Sequence, residues 1–382
     1  MQMQYRKFKS VDKEISLLGM GVMRLPRLED GKADEKTGID LIRYAVDHGI
    51  NYIDTGYTYH GGDSERIIGK ALKDGYREKV LIADKLPIWL VEKEEDIQPI
   101  IEEQFKRLDV DHIDMYLIHN IVPEVWELIK KCNVFEHLQK LKDEGRIGHI
   151  GFSFHGDYDL FTEVIDEYPW EYCQIQLNYL DKTIQAGLKG LAYARERDID
   201  VIIMEPLKGG RLSDKVPPSV QAIWDRAAAE GIAPPERTPA QWAFKWVASQ
   251  PGVSLILSGM SSFAQLEENI RIFSGDDINK MSETEYAICD EAADEYDRKI
   301  KYQCTKCGYC MPCPQEVEIP DVIRYLNNWY AFDKIPSTKL EYIEWLDGHA
   351  SKCIHCGACE DKCPQRLAIS DIMTDAVEQF GK

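Results

Sequence analysis

The sequence lacks long apolar runs, an excess of basic residues and evenly spread cysteines, and each lack excludes a class of protein. No apolar run approaches the roughly 20 residues that a helix needs to span a bilayer. The first ten residues contain no apolar stretch of the kind that directs secretion. With 46 Lys and Arg against 66 Asp and Glu, the formal charge is −20, which disfavours binding to a phosphate backbone. We therefore expect a cytoplasmic protein with no nucleic-acid partner and no membrane partner.

Cysteine is scarce in the first 303 residues and dense after them. The early part contains three of the eleven cysteines, Cys132, Cys173 and Cys289. The other eight lie between Cys304 and Cys363. In a reducing compartment such a density is more typical of metal binding than of disulfides. The chain is therefore expected to form two domains, residues 1–285 and 296–382.

Eight short apolar runs rich in β-branched residues recur through the first 260 residues. Most are continuous rather than alternating, as expected for strands buried on both faces of a parallel sheet. They lie at residues 17–25, 50–56, 80–86, 113–120, 147–155, 171–180, 200–207 and 253–260. Segments with helical periodicity lie between or after them, including residues 37–48, 94–108 and 262–273. Eight such units predict an α/β fold, a (β/α)8 TIM barrel. A doubly wound sheet is the alternative, but its usual third glycine is missing after Gly19 and Gly21.

Unusual polar residues lie in or just after the predicted strands. In a (β/α)8 barrel the loops at the C-terminal ends of the strands build the active site. A charged side chain that faces inward there is costly unless it is paired or used. The residues in such positions are Asp54, Lys85, His119, Ser153, His155, Gln176, Asn178 and Glu205.

The segments around these residues resemble the aldo-keto reductase family. Asp54 and Tyr59 stand five residues apart, as the family's catalytic Asp and Tyr do, and SERIIG follows at residues 64–69. Residues 83–87 (ADKLP) and 116–120 (YLIHN) resemble the segments with the family's catalytic Lys and His. The resemblance covers roughly residues 4–275. It implies a catalytic set made of Asp54, Tyr59, Lys85 and His119.

The resemblance also implies an activity, the reduction of a carbonyl to an alcohol by NAD(P)H, or the reverse. A free phenol has a pKa of about 10, and a nearby ammonium lowers it. Lys85 is therefore expected to bring Tyr59, the proton donor, toward the working range. Asp54 would hold Lys85, and His119 would hydrogen-bond the carbonyl oxygen. Tyr57, three residues after Asp54, is the competing phenol.

Motifs on the cofactor side match as well, with departures that leave NADP and NAD both open. The implied cofactor-binding residues are Ser153, Gln176, Met204, Pro206, Leu207, Gly209, Gly259, Gln265, Glu268 and Asn269. Phe154 stands where the family usually has Asn, and Met204 where many members stack a Tyr on the nicotinamide. Gly259 and Gln265 replace basic residues that commonly bind the 2′-phosphate.

The C-terminal part of the chain resembles a ferredoxin-type iron-sulfur domain. It contains CxxCxxCxxCP from Cys304 and CxxCxxCxxxCP from Cys353, and the second run is that of bacterial ferredoxins. Eight thiolates match two 4Fe-4S clusters, and the implied ligands are Cys304, Cys307, Cys310, Cys313, Cys353, Cys356, Cys359 and Cys363. By analogy with two-cluster ferredoxins, Cys363 completes the cluster of the first run and Cys313 that of the second. The helix-prone connection at residues 319–346 predicts a small, mainly helical domain; two zinc sites are the alternative.

A barrel reductase with such an extension is a known subgroup of the family, so the resemblance covers nearly the whole chain. A nicotinamide moves two electrons and a cubane one, so direct exchange between them needs a flavin or a substrate radical. Three functions follow. The first is a carbonyl reductase with accessory clusters; the second is an electron relay that uses ferredoxin or a flavin; the third is a non-catalytic redox sensor. The intact catalytic set favours the first, with a small carbonyl or alcohol as substrate.

Overall fold

The computed structural model describes residues 2–11, 13–213, 216–304 and 307–382. The chain forms two compact units. The first combines Met1–Gly209 with Gln241–Ser282, and the second combines Gly210–Ala240 with Glu283–Lys382. The domain boundaries expected from the sequence, 1–285 and 296–382, stay a prediction.

The first unit is built on a closed barrel of parallel strands. It begins with a short antiparallel pair, β1 (Tyr5–Lys7) and β2 (Glu14–Ser16). The barrel strands are β3 (Leu18–Gly21), β4 (Tyr52–Asp54), β5 (Leu81–Leu86), β6 (Ile113–Ile121), β7 (Ile147–Phe154), β8 (Tyr172–Gln176), β9 (Asp200–Met204) and β10 (Val253–Gly259). Each pairs with the next along the chain, and β10 closes the ring against β3. Each overlaps one of the eight apolar runs, which confirms the predicted (β/α)8 barrel.

Helices follow most of the strands along the chain. In chain order they are α1 (Glu35–Asp47), α2 (Asp63–Ala71), α3 (Ile97–Leu108), α4 (Pro123–Lys131), α5 (Val134–Asp143), α6 (Tyr158–Glu167), α7 (Gly187–Glu196), α8 (Pro218–Ala229), α9 (Pro239–Ala248) and α10 (Phe263–Phe273). Three of them, α1, α6 and α10, begin at a capping residue: the Asp34, Asp157 and Ser262 side chains accept from the backbone N–H three residues on. Such caps satisfy amide groups that have no partner within the helix.

The N-terminal end of the barrel is filled by apolar side chains. Phe8 and Val11, from the connection between β1 and β2, join a buried cluster with Tyr52, Leu81 and Leu255. This packing leaves the opposite end, where the strands finish, for polar side chains. That end contains the catalytic candidates.

The second unit is helical in its described residues. Besides α8 it contains α11 (Glu283–Arg298), α12 (Ile319–Ala331), α13 (Pro336–Trp345) and α14 (Ile369–Phe380). Helices α12, α13 and α14 contribute to one buried core, and cysteines from both runs pack against it. The predicted mainly helical C-terminal domain is thereby confirmed. No helix in the described ranges is long and apolar enough to cross a membrane.

Candidate active site and cluster sites

Four consecutive elements of the barrel bring the candidate catalytic side chains together. Asp54 is the last residue of β4, and Tyr59 opens a short 3₁₀ turn just after it. Lys85 lies near the end of β5, and His119 near the end of β6. Parallel neighbouring strands end at the same side of a barrel, so residues distant in sequence meet there.

Lys85 and Asp54 form a buried ion pair. The Lys85 Nζ donates to Asp54 Oδ1 at 2.7 Å and also to the carbonyl of Thr55. The other Asp54 oxygen, Oδ2, accepts from Gln174 Nε2 at 3.2 Å. Burial alone lowers the pKa of Lys85, but the charges of Asp54 and Tyr59 raise it by more, so the net shift is upward. The lysine is therefore an ammonium with its carboxylate partner fixed beside it.

Tyr59 lies next to this ammonium. The Lys85 Nζ is 5.0 Å from the centroid of the Tyr59 ring. Burial raises the pKa of Tyr59, and Lys85 offsets this only in part, so the net direction is upward from the ordinary value. Lys85 thus acts in the expected sense, but the net shift differs from the expected lowering because desolvation of the phenolate is the larger effect. The phenol holds its proton at neutral pH.

Tyr57, the competing phenol, has a different neighbour. The guanidinium carbon of Arg107 lies 4.2 Å from the centroid of the Tyr57 ring. Arg107 Nη1 also donates to the Tyr57 carbonyl at 3.1 Å. Of the two phenols, Tyr59 is the one beside Lys85.

His119 completes the group. Its ring centroid lies 5.8 Å from that of Tyr59, and Trp89 stands on it with a centroid distance of 4.9 Å. Burial lowers the pKa of His119 well below its usual range, and the charges of Lys85 and His155 lower it further. Its Nδ1 has no hydrogen-bond partner among the described residues. The imidazole is therefore neutral, a form in which one ring nitrogen is a donor.

The predicted cofactor-side residues lie along the ends of β7 to β10 and in α10. Ser153 Oγ accepts from the backbone N–H of Asn120 at 2.8 Å, so its own hydrogen is free to donate elsewhere. Phe154 is fully buried and packs on Phe161, with ring centroids 5.1 Å apart. It belongs to the core, since neighbouring side chains of a strand point to opposite faces. The remaining predicted residues in this region are Gln176, Met204, Pro206, Leu207, Gly209 and Glu268.

The end of β10 is tied to a residue that the sequence did not single out, Arg24. The side chain of Arg24 fills the space that Gly259 leaves open, 3.3 Å from where a Cβ would lie. The carbonyl of Arg24 accepts from Ser261 Oγ at 2.9 Å. Gln265 turns its Oε1 back to accept from the N–H of Ser261 at 2.8 Å. The Asn269 side chain donates its Nδ2 to Ser258 Oγ at 3.1 Å. The aliphatic part of the Arg24 side chain, from the loop after β3, therefore packs against Gly259 at this rim.

The eight C-terminal thiols surround two cavities in the second unit. One is lined by Cys310, Cys313, Cys353, Cys356 and Cys359. The other is lined by Cys304, Cys307, Cys310 and Cys363. Nowhere in the described ranges do three or more His, Cys, Asp or Glu side chains form a group suited to a single metal ion. Each cavity is lined by three cysteines of one run and the last cysteine of the other, and Cys310 lines both.

A parallel barrel with an ion-paired lysine, a protonated phenol and a neutral imidazole at its C-terminal end defines a (β/α)8 oxidoreductase. Residues 17–294 match the model of the Aldo/keto reductase family, and residues 303–368 match that of the 4Fe-4S dicluster domain. The chain therefore belongs to the aldo/keto reductase family, with a 4Fe-4S domain at its C-terminal side. The resemblance expected from the sequence is confirmed.

Relatives in several organisms are similar to the barrel part of the chain. Probable aldo-keto reductase 1 of Glycine max is 30% identical over 299 residues, which cover 70% of this chain and 84% of the relative. The NADH-specific methylglyoxal reductase of Escherichia coli is 27% identical over 330 residues, covering 76% and 98%. A Klebsiella pneumoniae aldo-keto reductase solved with NADPH has a TM-score of 0.61 at 23% identity, covering 76% and 95%. That structural likeness concerns the fold.

Proposed function

We propose that this enzyme reduces a small carbonyl compound to an alcohol, with NADPH as the reductant, and holds two 4Fe-4S clusters in its second unit. The observation that carries the proposal is the buried Lys85–Asp54 pair beside a Tyr59 that keeps its proton. A buried ion pair is weak evidence for stability, because desolvation offsets much of the attraction. The Lys85–Asp54 pair is better explained as a fixed charge beside Tyr59, whose own charge changes during the reaction.

In this mechanism Tyr59 donates its proton to the carbonyl oxygen. A nicotinamide dinucleotide held by Ser153, Gln176 and Asn269 would supply the hydride for the carbonyl carbon. The phenolate left on Tyr59 is stabilised by Lys85, and Asp54 keeps that ammonium charged and in place. The environment is low in dielectric, so this attraction is stronger than it would be in water.

His119 orients the carbonyl group. A neutral imidazole donates one N–H to the oxygen, without a charge that would compete with Tyr59 for the role of acid. Trp89 lies against His119 and remains 43% exposed, so it is available as an apolar wall for the substrate.

Arg24 supports NADPH over NADH. The family's usual cations are replaced by Gly259 and Gln265, and Gln265 is engaged with Ser261. Arg24 occupies the space beside Gly259, and a guanidinium is the side chain best suited to a phosphate. Ser153, Gln176 and Asn269 remain the polar groups for the rest of the dinucleotide.

The two cavities support two clusters with shared cysteine runs. Four soft thiolates suit iron-sulfur clusters and zinc alike, but lining that joins three cysteines of one run to the last cysteine of the other is the ligand pattern of two-cluster ferredoxins. Cys304, Cys307, Cys310 and Cys363 would hold one cluster. The second cluster would be held by the last cysteine of the first run and three of the second, Cys313, Cys353, Cys356 and Cys359. When bound, each cluster supplies one-electron chemistry and a cross-link between the runs.

The proposal is tested on protein purified without oxygen. We expect about eight irons per chain, and oxidation of NADPH that depends on an added small aldehyde or ketone. NADH in parallel tests the cofactor preference. Zinc in place of iron would contradict the clusters, and no carbonyl-dependent oxidation of either dinucleotide across a broad panel would contradict the activity.

A further inference from the structure

A second buried polar group lies behind the catalytic lysine, between β5 and the helices outside it. Asp84 precedes Lys85 in β5 and therefore points to the opposite face of the sheet. Glu65 of α2 lies beside it, and both side chains are 0% exposed. Helix α2 comes this close to α3 because Gly69 has no side chain; a Cβ there would lie 2.5 Å from the Leu108 carbonyl oxygen. A pair of fully buried carboxyls is costly and calls for a reason.

The group holds the backbone of Lys85 on both sides. Asp84 Oδ1 accepts from the Lys85 N–H at 2.8 Å. Gln104 of α3 donates its Nε2 to the Lys85 carbonyl at 3.0 Å. Gln104 is itself fixed by Tyr116 of β6, which donates its hydroxyl to Gln104 Oε1. The position of the lysine thus depends on this polar layer.

Among the residues that the structure describes, Arg107 is the cation that hydrogen-bonds to this pair of carboxyls. Arg107 of α3 donates Nη1 to Glu65 Oε2 at 2.8 Å. The remaining oxygens, Glu65 Oε1 and Asp84 Oδ2, have no donor among the described residues. The two carboxyls lie within reach of each other, with these two oxygens unsatisfied. Two ionised carboxylates in contact repel each other, so this contact requires one shared proton.

The surroundings decide which of the two acids holds that proton. Glu65 has the guanidinium of Arg107 as partner, whereas Asp84 has a single backbone N–H. We propose that Asp84 is a protonated positioning residue, which donates its proton to the Glu65 carboxylate and so fixes the strand segment that carries Lys85. It is neutral, and it adds no second negative charge near Tyr59. Its role in turnover rests on the proposed reductase function; its protonation does not.

The charges that face Asp84 agree with this assignment. They come from Glu65 on α2, Arg107 on α3, and Lys85 on its own strand, with the hydroxyl of Tyr116 on β6 nearby. Burial raises the pKa of Asp84 well above its usual range, and the Glu65 charge raises it further. An ionised Asp84 would in turn raise the pKa of Tyr59. A neutral Asp84 avoids that effect.

The test compares Asp84→Asn with Asp84→Ala and Glu65→Gln in the full holoenzyme. An asparagine is neutral, donates to Glu65 and accepts from the Lys85 N–H, so it reproduces both bonds of a protonated Asp84. We expect Asp84→Asn to keep kcat within about threefold and the pH profile of kcat unchanged, while Asp84→Ala lowers kcat by tenfold or more, since one lost hydrogen bond costs about 1.4 kcal/mol or more. Infrared difference spectra at neutral pH should show the carbonyl stretch of a carboxylic acid in the wild type and in Glu65→Gln, and its loss in Asp84→Asn.

Each other outcome overturns the proposal in a recognisable way. A pH profile that shifts in Asp84→Asn means that an ionised Asp84 was present. A carboxylic acid band lost in Glu65→Gln and kept in Asp84→Asn places the proton on Glu65. An Asp84→Ala variant with wild-type kcat refutes the positioning role, and an Asp84→Asn variant that does not fold refutes the neutral donor. If the wild type itself reduces no carbonyl, the reductase function fails, while the infrared comparison still decides the protonation.

Discussion

Replacing Lys85 with methionine perturbs the centre of the catalytic group. The side chain keeps its length and loses its charge. In the structure it removes the ammonium that lies 2.7 Å from Asp54 Oδ1 and 5.0 Å from the Tyr59 ring centroid. Two effects follow, one on the rate of the reaction and one on the stability of the fold. They differ in size, and a second substitution can separate them.

The effect on the reaction comes from the phenolate that forms on Tyr59. Taking the 5.0 Å separation as the charge–charge distance, an effective dielectric constant of about 20 gives an attraction of about 3 kcal/mol. Its loss lowers kcat for reduction on the order of 10²-fold. The effect on folding comes from Asp54, which is left buried without its cation. Breaking a buried pair in this way costs about 3–5 kcal/mol.

The assay is steady-state oxidation of NADPH with a saturating carbonyl substrate, alongside urea unfolding of the same variants. The double variant Asp54→Asn/Lys85→Met removes the stranded charge as well. We expect it to recover most of the lost stability while kcat stays low. A Lys85→Met variant with kcat within a few-fold of the wild type would refute the role assigned to the ammonium.

Four further outcomes are expected. Because burial raises the pKa of Tyr59, kcat for reduction should stay flat from about pH 7 to about pH 9, since the acid remains protonated throughout. Arg24→Ala should raise KM for NADPH about tenfold or more and leave KM for NADH unchanged, because a charged hydrogen bond to phosphate is worth about 1.5–3 kcal/mol. Cys363→Ala should leave about four irons per chain, because the cluster of the first cysteine run is lost. The folded state keeps the Asp84 proton to higher pH than the unfolded state does. The free energy of unfolding should therefore fall by up to about 1.4 kcal/mol per pH unit above about pH 4, and Asp84→Asn should remove this slope.

Each of these has a control or a contrary result. An alkaline fall in kcat near neutral pH would mean that Tyr59 is more acidic than its burial implies. Equal KM changes for both dinucleotides would mean that Arg24 binds a part of the cofactor that NADPH and NADH have in common. Cys132→Ala, outside both cysteine runs, is the matched control for iron content. If Asp84 instead makes the free energy of unfolding rise with pH, the folded state does not hold its proton.

The barrel could be predicted from the sequence because parallel strands buried on both faces are continuous apolar runs. The position of the active site followed from one topological fact, that parallel strands end at one side. Asp54, Lys85 and His119 stand out there as a group, because a charged or polar side chain that faces inward is costly unless it is paired or used. The helical nature of the second unit was similarly readable from the connection between the cysteine runs.

The sequence could not reveal contacts that depend on the packing of distant elements. Arg24 reaches Gly259 only because β3 closes the barrel against β10. The Glu65–Asp84 pair depends on how closely α2 approaches α3, and a single glycine allows that approach. The sequence also could not show whether the pKa of Tyr59 is raised or lowered. Lys85 and burial act in opposite directions, and only the buried position of the ring shows which effect is larger.

The central claim, that Tyr59 is the proton donor of a carbonyl reductase, is tested most directly with a pair of matched variants. Tyr59→Phe and Tyr57→Phe each remove one hydroxyl, from phenols that lie beside Lys85 and beside Arg107. The measurement is kcat for carbonyl-dependent NADPH oxidation, with the affinity for NADPH followed by its fluorescence. We predict that Tyr59→Phe abolishes turnover and binds NADPH as the wild type does, while Tyr57→Phe remains active. Full activity in Tyr59→Phe would contradict the account.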